Sequence, residues 1–220
     1  MSQRFSFNHI APVYDKLSYL IFWGSIQRAQ RFFLTSIPPQ STVLIIGGGS
    51  GDILIELLNY RTPQYITYVE ASTAMLNRAR QKVANYRRAN PTHLIPMINF
   101  IQGTEQDVDL PEKHQVVITN FVLDMYQEET LTAMMKRIDD LLAANALWFF
   151  TDFRYSSQPL VRYWQRPLAW IMYRFFHLTA NISLQSLPNY DFYFQKLGWQ
   201  EKQSRSFFGD FIATKVYARA

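Results

Sequence analysis

Ten consecutive residues, VLIIGGGSGD from Val43 to Asp52, constrain this chain more than any others. The short β-branched apolar run Thr42–Ile46 reads as a strand buried on both faces. The glycine-rich stretch Gly47–Gly51 then forces a turn, and Asp52–Asn59 opens a helix with Ile53, Leu54, Leu57 and Leu58 turned inward. Glycine lets the backbone turn sharply and admits a ligand where a Cβ would otherwise stand. The N-terminal N–H groups of the following helix lie beside whatever binds. In a parallel sheet this crevice, beyond the strand ends, is where ligands sit.

The alternation continues along the chain. Tyr65–Val69, Ile98–Gln102, Gln115–Asn120 and Ala146–Phe153 read as strands, with helices over Thr73–Ala89 and Glu128–Ala143. Ahead of them, residues 16–36 read as mostly helical up to Pro38-Pro39, which cannot continue a helical ladder. The end changes character: Trp199–Phe208 and Phe211–Ala218 are strand-like runs joined by Gly209-Asp210, a connection so short that it joins antiparallel neighbours. The expected architecture is an α/β, Rossmann-like, seven-stranded and mostly parallel sheet with a C-terminal antiparallel hairpin and helices on both faces. One domain, 1–220, is expected, with an N-terminal helical cover over 1–39 and an aromatic helical insertion over 155–195.

Composition narrows the class. With 48% hydrophobic and 18% charged residues the chain is globular rather than disordered. The absence of cysteine excludes a disulfide scaffold and a cysteine-based zinc site, and no cluster has metal-ligand spacing, so no metal is expected. The opening MSQRFSFNHIAPVYD lacks the long apolar core of a secretory leader, and no uncharged apolar run is long enough for a membrane span, which points to a cytoplasmic protein. A net charge of +5 suits an anionic membrane surface, nucleic acid or an acidic substrate without choosing among them. The lack of a basic run or stripe argues against nucleic acid. The 17 Phe, 13 Tyr and 5 Trp gather near the N-terminus and between Tyr155 and Phe194, an enrichment that suits either core packing or a flat, greasy ligand.

Glu70 closes the second strand, where a carboxylate can accept hydrogen bonds from both hydroxyls of a ribose. The dinucleotide pattern G-x-G-x-x-G fails in every frame of the loop, whereas G-x-G-x-G fits Gly47, Gly49 and Gly51. On these residues the chain resembles the class I S-adenosylmethionine-dependent methyltransferases. Phe5 to Asp15 (FSFNHIAPVYD) is similar to the F-x-x-I-A-x-x-Y-D opening of the ubiquinone/menaquinone C-methyltransferase group. GGGSGD, the segment Glu70 to Leu76 and residues 98 to 123 extend that resemblance over the first two-thirds of the chain.

The resemblance implies S-adenosyl-L-methionine as cofactor, S-adenosyl-L-homocysteine as product, and a small-molecule acceptor. It places Gly47, Gly49 and Gly51 against the methionine and ribose, Glu70 on the ribose, and Ala71 or Met75 beside the adenine. Thr104 and Glu105 fall near the adenine edge, Asn120 near the sulfonium, and Tyr14 closes over the cofactor. The chain departs from the family pattern at Ile45, Thr104 and Asp124, where an acid, an acid and a histidine are common.

The acceptor side is read from the residues. Asp124 begins the loop after strand four and His9 lies in the opening motif, so both are candidate acid–base groups; a helix cap and a surface histidine are the plain alternatives. Asp152 and Arg154 end strand five, also at the ligand edge, where an ion pair or a turn is the plain reading; His93 and His114 are expected to be solvated. In residues 160–178, Pro167 is expected to kink a helix or open a second one. Beyond it, Leu168, Ile171, Met172 and Phe175 form one apolar face and Trp170, Tyr173, Arg174 and His177 another. The second face is a candidate lid over an aromatic or prenylated acceptor, with Arg154, Arg174 or His177 on an anionic group. A partner subunit, a peripheral membrane contact and an ordinary capping helix stay open. Two other functions share the fold: an aminopropyltransferase, which needs acids after strand four, and a non-catalytic cofactor-binding adaptor.

Overall fold

A computed structural model describes Phe22, residues 24–180 and residues 187–219, the side chains of 171–180 excepted. Seven strands form one sheet: β1 (Thr42–Ile46), β2 (Tyr65–Glu70), β3 (Met97–Gln102), β4 (His114–Asn120), β5 (Leu142–Phe153), β6 (Trp199–Phe207) and β7 (Ile212–Arg219), in the spatial order β3-β2-β1-β4-β5-β7-β6. The first five are parallel; β7 runs antiparallel to both β5 and β6. The helices are α1 (Ser25–Arg31), α2 (Asp52–Tyr60), α3 (Thr73–Ala89), α4 (Glu128–Asp140), α5 (Pro159–Ala180) and α6 (Tyr190–Lys196).

Both faces of the sheet are covered, which is why β1 is apolar at every central position. Val43 and Ile45 pack with Leu54 and Leu57 of α2 and Leu76 and Ala79 of α3. Leu44 and Ile46 face the other way, into a core with Met135 and Ile138 of α4 and Phe194 of α6. A third cluster joins Phe22, Ile26 and Ala29 to Phe153, Phe211 and Ile212. Trp148 and Trp199 lie fully buried yet keep their indole N–H groups satisfied, by Thr119 Oγ1 and Asp139 Oδ1, each at 2.8 Å.

Four local expectations are corrected. The helical reading of 16–36 gives, among the described residues, a helix ending at Arg31 and a 3₁₀ turn over Leu34–Ser36; Ile37 is extended because Pro38 follows it. The helix predicted to reach Ala143 stops at Asp140, since Leu142 is already paired with His114 as the first residue of β5. Residues 159–180 form one continuous helix running through Pro167, not two. His114 is buried rather than solvated: as the first residue of a central strand it sits under the sheet, with Nε2 2.8 Å from Thr67 Oγ1 and a pKa lowered by burial. His93 is exposed, as expected.

Candidate functional site

Strand order reverses between β1 and β4, the position in an open parallel sheet beyond whose strand ends ligands are taken. The loop after β1 is Gly47–Gly51. Gly47, Gly49 and Gly51 have φ of 64°, 64° and 94°, a region that L side chains enter at a cost. Crowding separates their roles. A Cβ on Gly47 would stand 2.3 Å from Val122 Cγ2, so this glycine lets the loops after β1 and β4 touch. One on Gly51 would stand 2.8 Å from the Ala79 Cα, so this glycine lets the loop meet α3. Gly48 is closed off by the Tyr68 ring, and the Tyr68 hydroxyl donates to the Gly49 carbonyl at 2.9 Å. At Gly49, by contrast, a Cβ would meet only the Met75 sulfur, at 3.9 Å. Among the described residues, Gly49 is the one member of the G-x-G-x-G set whose side-chain position is open.

Glu70 ends β2 beside this loop and is 7% exposed. Its Oε2 accepts from the Gly49 N–H and its Oε1 from the Ser72 N–H, both at 2.8 Å. Burial raises its pKa, and those N–H groups partly offset the shift. The carboxylate thus ties the glycine loop to the start of α3, where Ser72 is the N-cap and accepts from the Met75 N–H. Ala71 is exposed and Met75 half-buried at the same end. After β3, Thr104 and Glu105 divide: Thr104 is consumed in a capping box with Asp107, whereas Glu105 is buried, with the Tyr126 hydroxyl 3.4 Å from its Oε2.

At the end of β4, Asn120 has a buried side-chain amide nitrogen with no hydrogen-bond partner among the described residues. Phe121 follows with φ of 54°, an outlier for an aromatic residue. Its ring packs 4.8 Å from Phe153, and its N–H donates to the Thr151 carbonyl at 2.8 Å, contacts that hold the strained turn. The strain carries the chain to Asp124, which is buried beside Asp152 at the end of β5. The Asp124 N–H donates to Asp152 Oδ2 at 3.2 Å, and the Phe153 N–H to Asp152 Oδ1 at 2.8 Å; Asp124 Oδ1 is buried without a partner among the described residues. Burial raises both carboxyl pKa values, and for Asp152 the neighbouring Asp124 charge adds to the effect.

Asp152 and Arg154 are therefore not an ion pair. Arg154 instead reaches Ser206 Oγ at 2.9 Å and Asp210 at 3.5 Å, beside a cavity of about 360 Å³ on the hairpin lined by Ser204, Ser206, Glu201 and Lys215. Lys215 is buried there and paired with Asp191 and Glu201 at 2.6 and 2.7 Å. Trp170 stands on the outer side of α5, 65% exposed. His9, Tyr14 and the side chains of Tyr173, Arg174 and His177 lie outside the described residues. The structure thus brings Gly47, Gly49, Gly51, Glu70 and Met75 together at the mouth of β1. Phe121, Val122 and Tyr68 were not singled out from sequence; an aromatic after a strand-ending Asn carries no signal of positive φ.

Three comparisons bear on this arrangement. A methyltransferase domain family model matches residues 44–148. A demethylmenaquinone methyltransferase of Porphyromonas gingivalis is 32% identical over 108 residues, covering 48% of this chain and 41% of that protein, so the chain spans less than half of the curated relative's length. Among solved structures, a 1,6-didemethyltoxoflavin N1-methyltransferase of Burkholderia thailandensis, with its substrate and S-adenosylhomocysteine bound, superposes with a TM-score of 0.65 at 10% identity, covering 96% of this chain and 85% of that one. The mitomycin 7-O-methyltransferase MmcR gives 0.65 at 16% identity, covering 98% and 61%. These matches show a methyltransferase domain family over residues 44–148 and, with the strand order, the fold of solved methyltransferases.

Proposed function

We propose that the chain transfers a methyl group from S-adenosylmethionine to a small, hydrophobic or aromatic acceptor by in-line displacement. The observation that carries this reading is the crevice between β1 and β4, where Gly49 combines a positive φ with an open side-chain position and a bond to the buried Glu70. The residues fit the cofactor. Gly47, Gly49 and Gly51 would take its methionine and ribose, Glu70 its ribose hydroxyls, Met75 and Glu105 its adenine. The amide of Asn120 at the end of β4, unpartnered among the described residues, would face the sulfonium. Of the two candidates after β3, Glu105 is favoured, because the Thr104 side chain is occupied by its own capping box.

When bound, the cofactor supplies a methyl group already activated by the sulfonium charge. The chain's own task is then to position the acceptor and exclude water, which can provide much of the acceleration. Asp124 is the candidate proton acceptor. Asp152 orients its backbone and, by proximity, keeps the pair from ionising fully until the pH rises.

The same pair favours a second reading, aminopropyl transfer, whose amine acceptor needs acids beside it. Titrating S-adenosylhomocysteine into the protein calorimetrically tests the shared premise. Saturable binding is expected, weakened at least about tenfold, or about 1.4 kcal/mol, by Gly49→Ala, whose added methyl would stand where the cofactor lies. Absence of any heat would overturn both readings. Comparing turnover of S-adenosylmethionine with that of its decarboxylated form separates them: methyl transfer predicts activity with the first alone.

A further inference from the structure

The first half of α5 leaves one side bare. Leu160 is 88% exposed and Tyr163 84%, and Pro167 and Trp170 continue the same line along the helix. The opposite side holds the helix firmly to the domain. Gln165 and Ala169 are buried, Gln165 donates to the Gly209 carbonyl at 2.7 Å, and the Trp164 ring packs 5.7 Å from Phe208. The bare line is therefore a fixed feature of a docked helix. Arg166 is exposed at its margin, and the 22-residue helix carries three arginines and no Asp or Glu. Among the described residues no helix is long and apolar enough to cross a membrane.

We infer that this face of α5 docks the protein on an anionic lipid bilayer, lying in the interface with Leu160 at the acyl boundary and Tyr163 and Trp170 at headgroup level. An apolar and aromatic stripe edged by arginine is the pattern of an interfacial helix. Charge selects this occupant over others. A second copy would set an acid-free, arginine-bearing helix against its like, and nucleic acid would leave Leu160 and Trp170 without apolar contact. α5 follows the C-terminal end of β5, the same edge of the sheet from which the glycine loop leaves β1. The inference is independent of the methyl-transfer reading, and its test needs no cofactor.

The test is flotation of the whole chain with vesicles of phosphatidylcholine alone and of phosphatidylcholine containing phosphatidylglycerol. Recovery is expected with the anionic vesicles, with little on the neutral ones. Leu160→Ser/Tyr163→Ser is expected to cut the partition at least about tenfold. Arg166→Gln is expected to cut it about fivefold, on anionic vesicles alone. Both variants should melt near wild type and bind S-adenosylhomocysteine unchanged. Equal partition of variants and wild type overturns the inference. So does a dimer in sedimentation that Leu160→Ser/Tyr163→Ser dissociates, without any vesicle binding.

Discussion

At the scale of single residues, Asp124 and Asp152 show how burial links chemistry to stability. A carboxyl whose pKa is raised in the folded protein binds its proton more tightly there than in the unfolded chain. Its contribution is therefore fully present in acid and is lost as pH rises from the unfolded carboxylate range through the folded value. Asp124→Asn removes that loss. The variant is expected to be more stable than wild type at pH 8, by on the order of 2 kcal/mol, and to lose the advantage near pH 4. Methyl transfer by the same variant should fall at least about a hundredfold if Asp124 takes a proton from the acceptor. Urea titrations at the two pH values and a pH–rate profile check both outcomes. A stability gain without loss of turnover would leave Asp124 a buried relic of packing. Asp124 was legible as a candidate because it opens the loop after a strand; its pairing was not, since Asp152 lies 28 residues away and meets it only through the β4–β5 pairing.

At the scale of elements, what the sequence shows well is periodicity, and what it hides is the neighbour. The range of α3 matches its expected span from Thr73 to Ala89, where the Ser72 cap and the inward residues Leu76, Ala79 and Val83 agree. The end of α4 and the start of β5 were missed because Leu142 is drawn into the sheet by β4, a partner that no local pattern reveals. Of the two outcomes expected at Pro167, a kink or a second helix, the second does not occur: α5 passes through it, held by Gln165 and Trp164 just upstream and by Ala169 just downstream. Its ring still removes an N–H from the helical ladder. Because Pro167 is exposed, Pro167→Ala gives up little packing and restores that hydrogen bond. It is expected to stabilise the domain by about 1–3 kcal/mol, seen as a raised thermal midpoint with unchanged binding of S-adenosylhomocysteine. A lower midpoint would mean that the proline pre-orders the helix.

At the scale of the whole molecule, the crevice is a junction: Gly47 touches the loop after β4, Gly51 touches α3, and Glu70 bonds the loop between them. A ligand seated there contacts elements on both faces of the sheet, so its binding energy should stabilise the domain as a unit rather than one loop. At a hundred times its dissociation constant, S-adenosylhomocysteine is expected to add about 2.7 kcal/mol. For a domain of this size that is a rise in melting temperature of roughly 5–10 °C. Gly49→Ala should melt a few degrees below wild type without ligand, because its φ of 64° strains any L side chain, and should show little of the ligand-induced rise. Gly51→Ala should lower the midpoint further, because its φ is also positive and its methyl meets the α3 backbone as well. The two variants thus separate a glycine kept for the ligand from a glycine kept for the fold. If both lose stability equally and both keep the ligand-induced rise, the cofactor does not lie against Gly49.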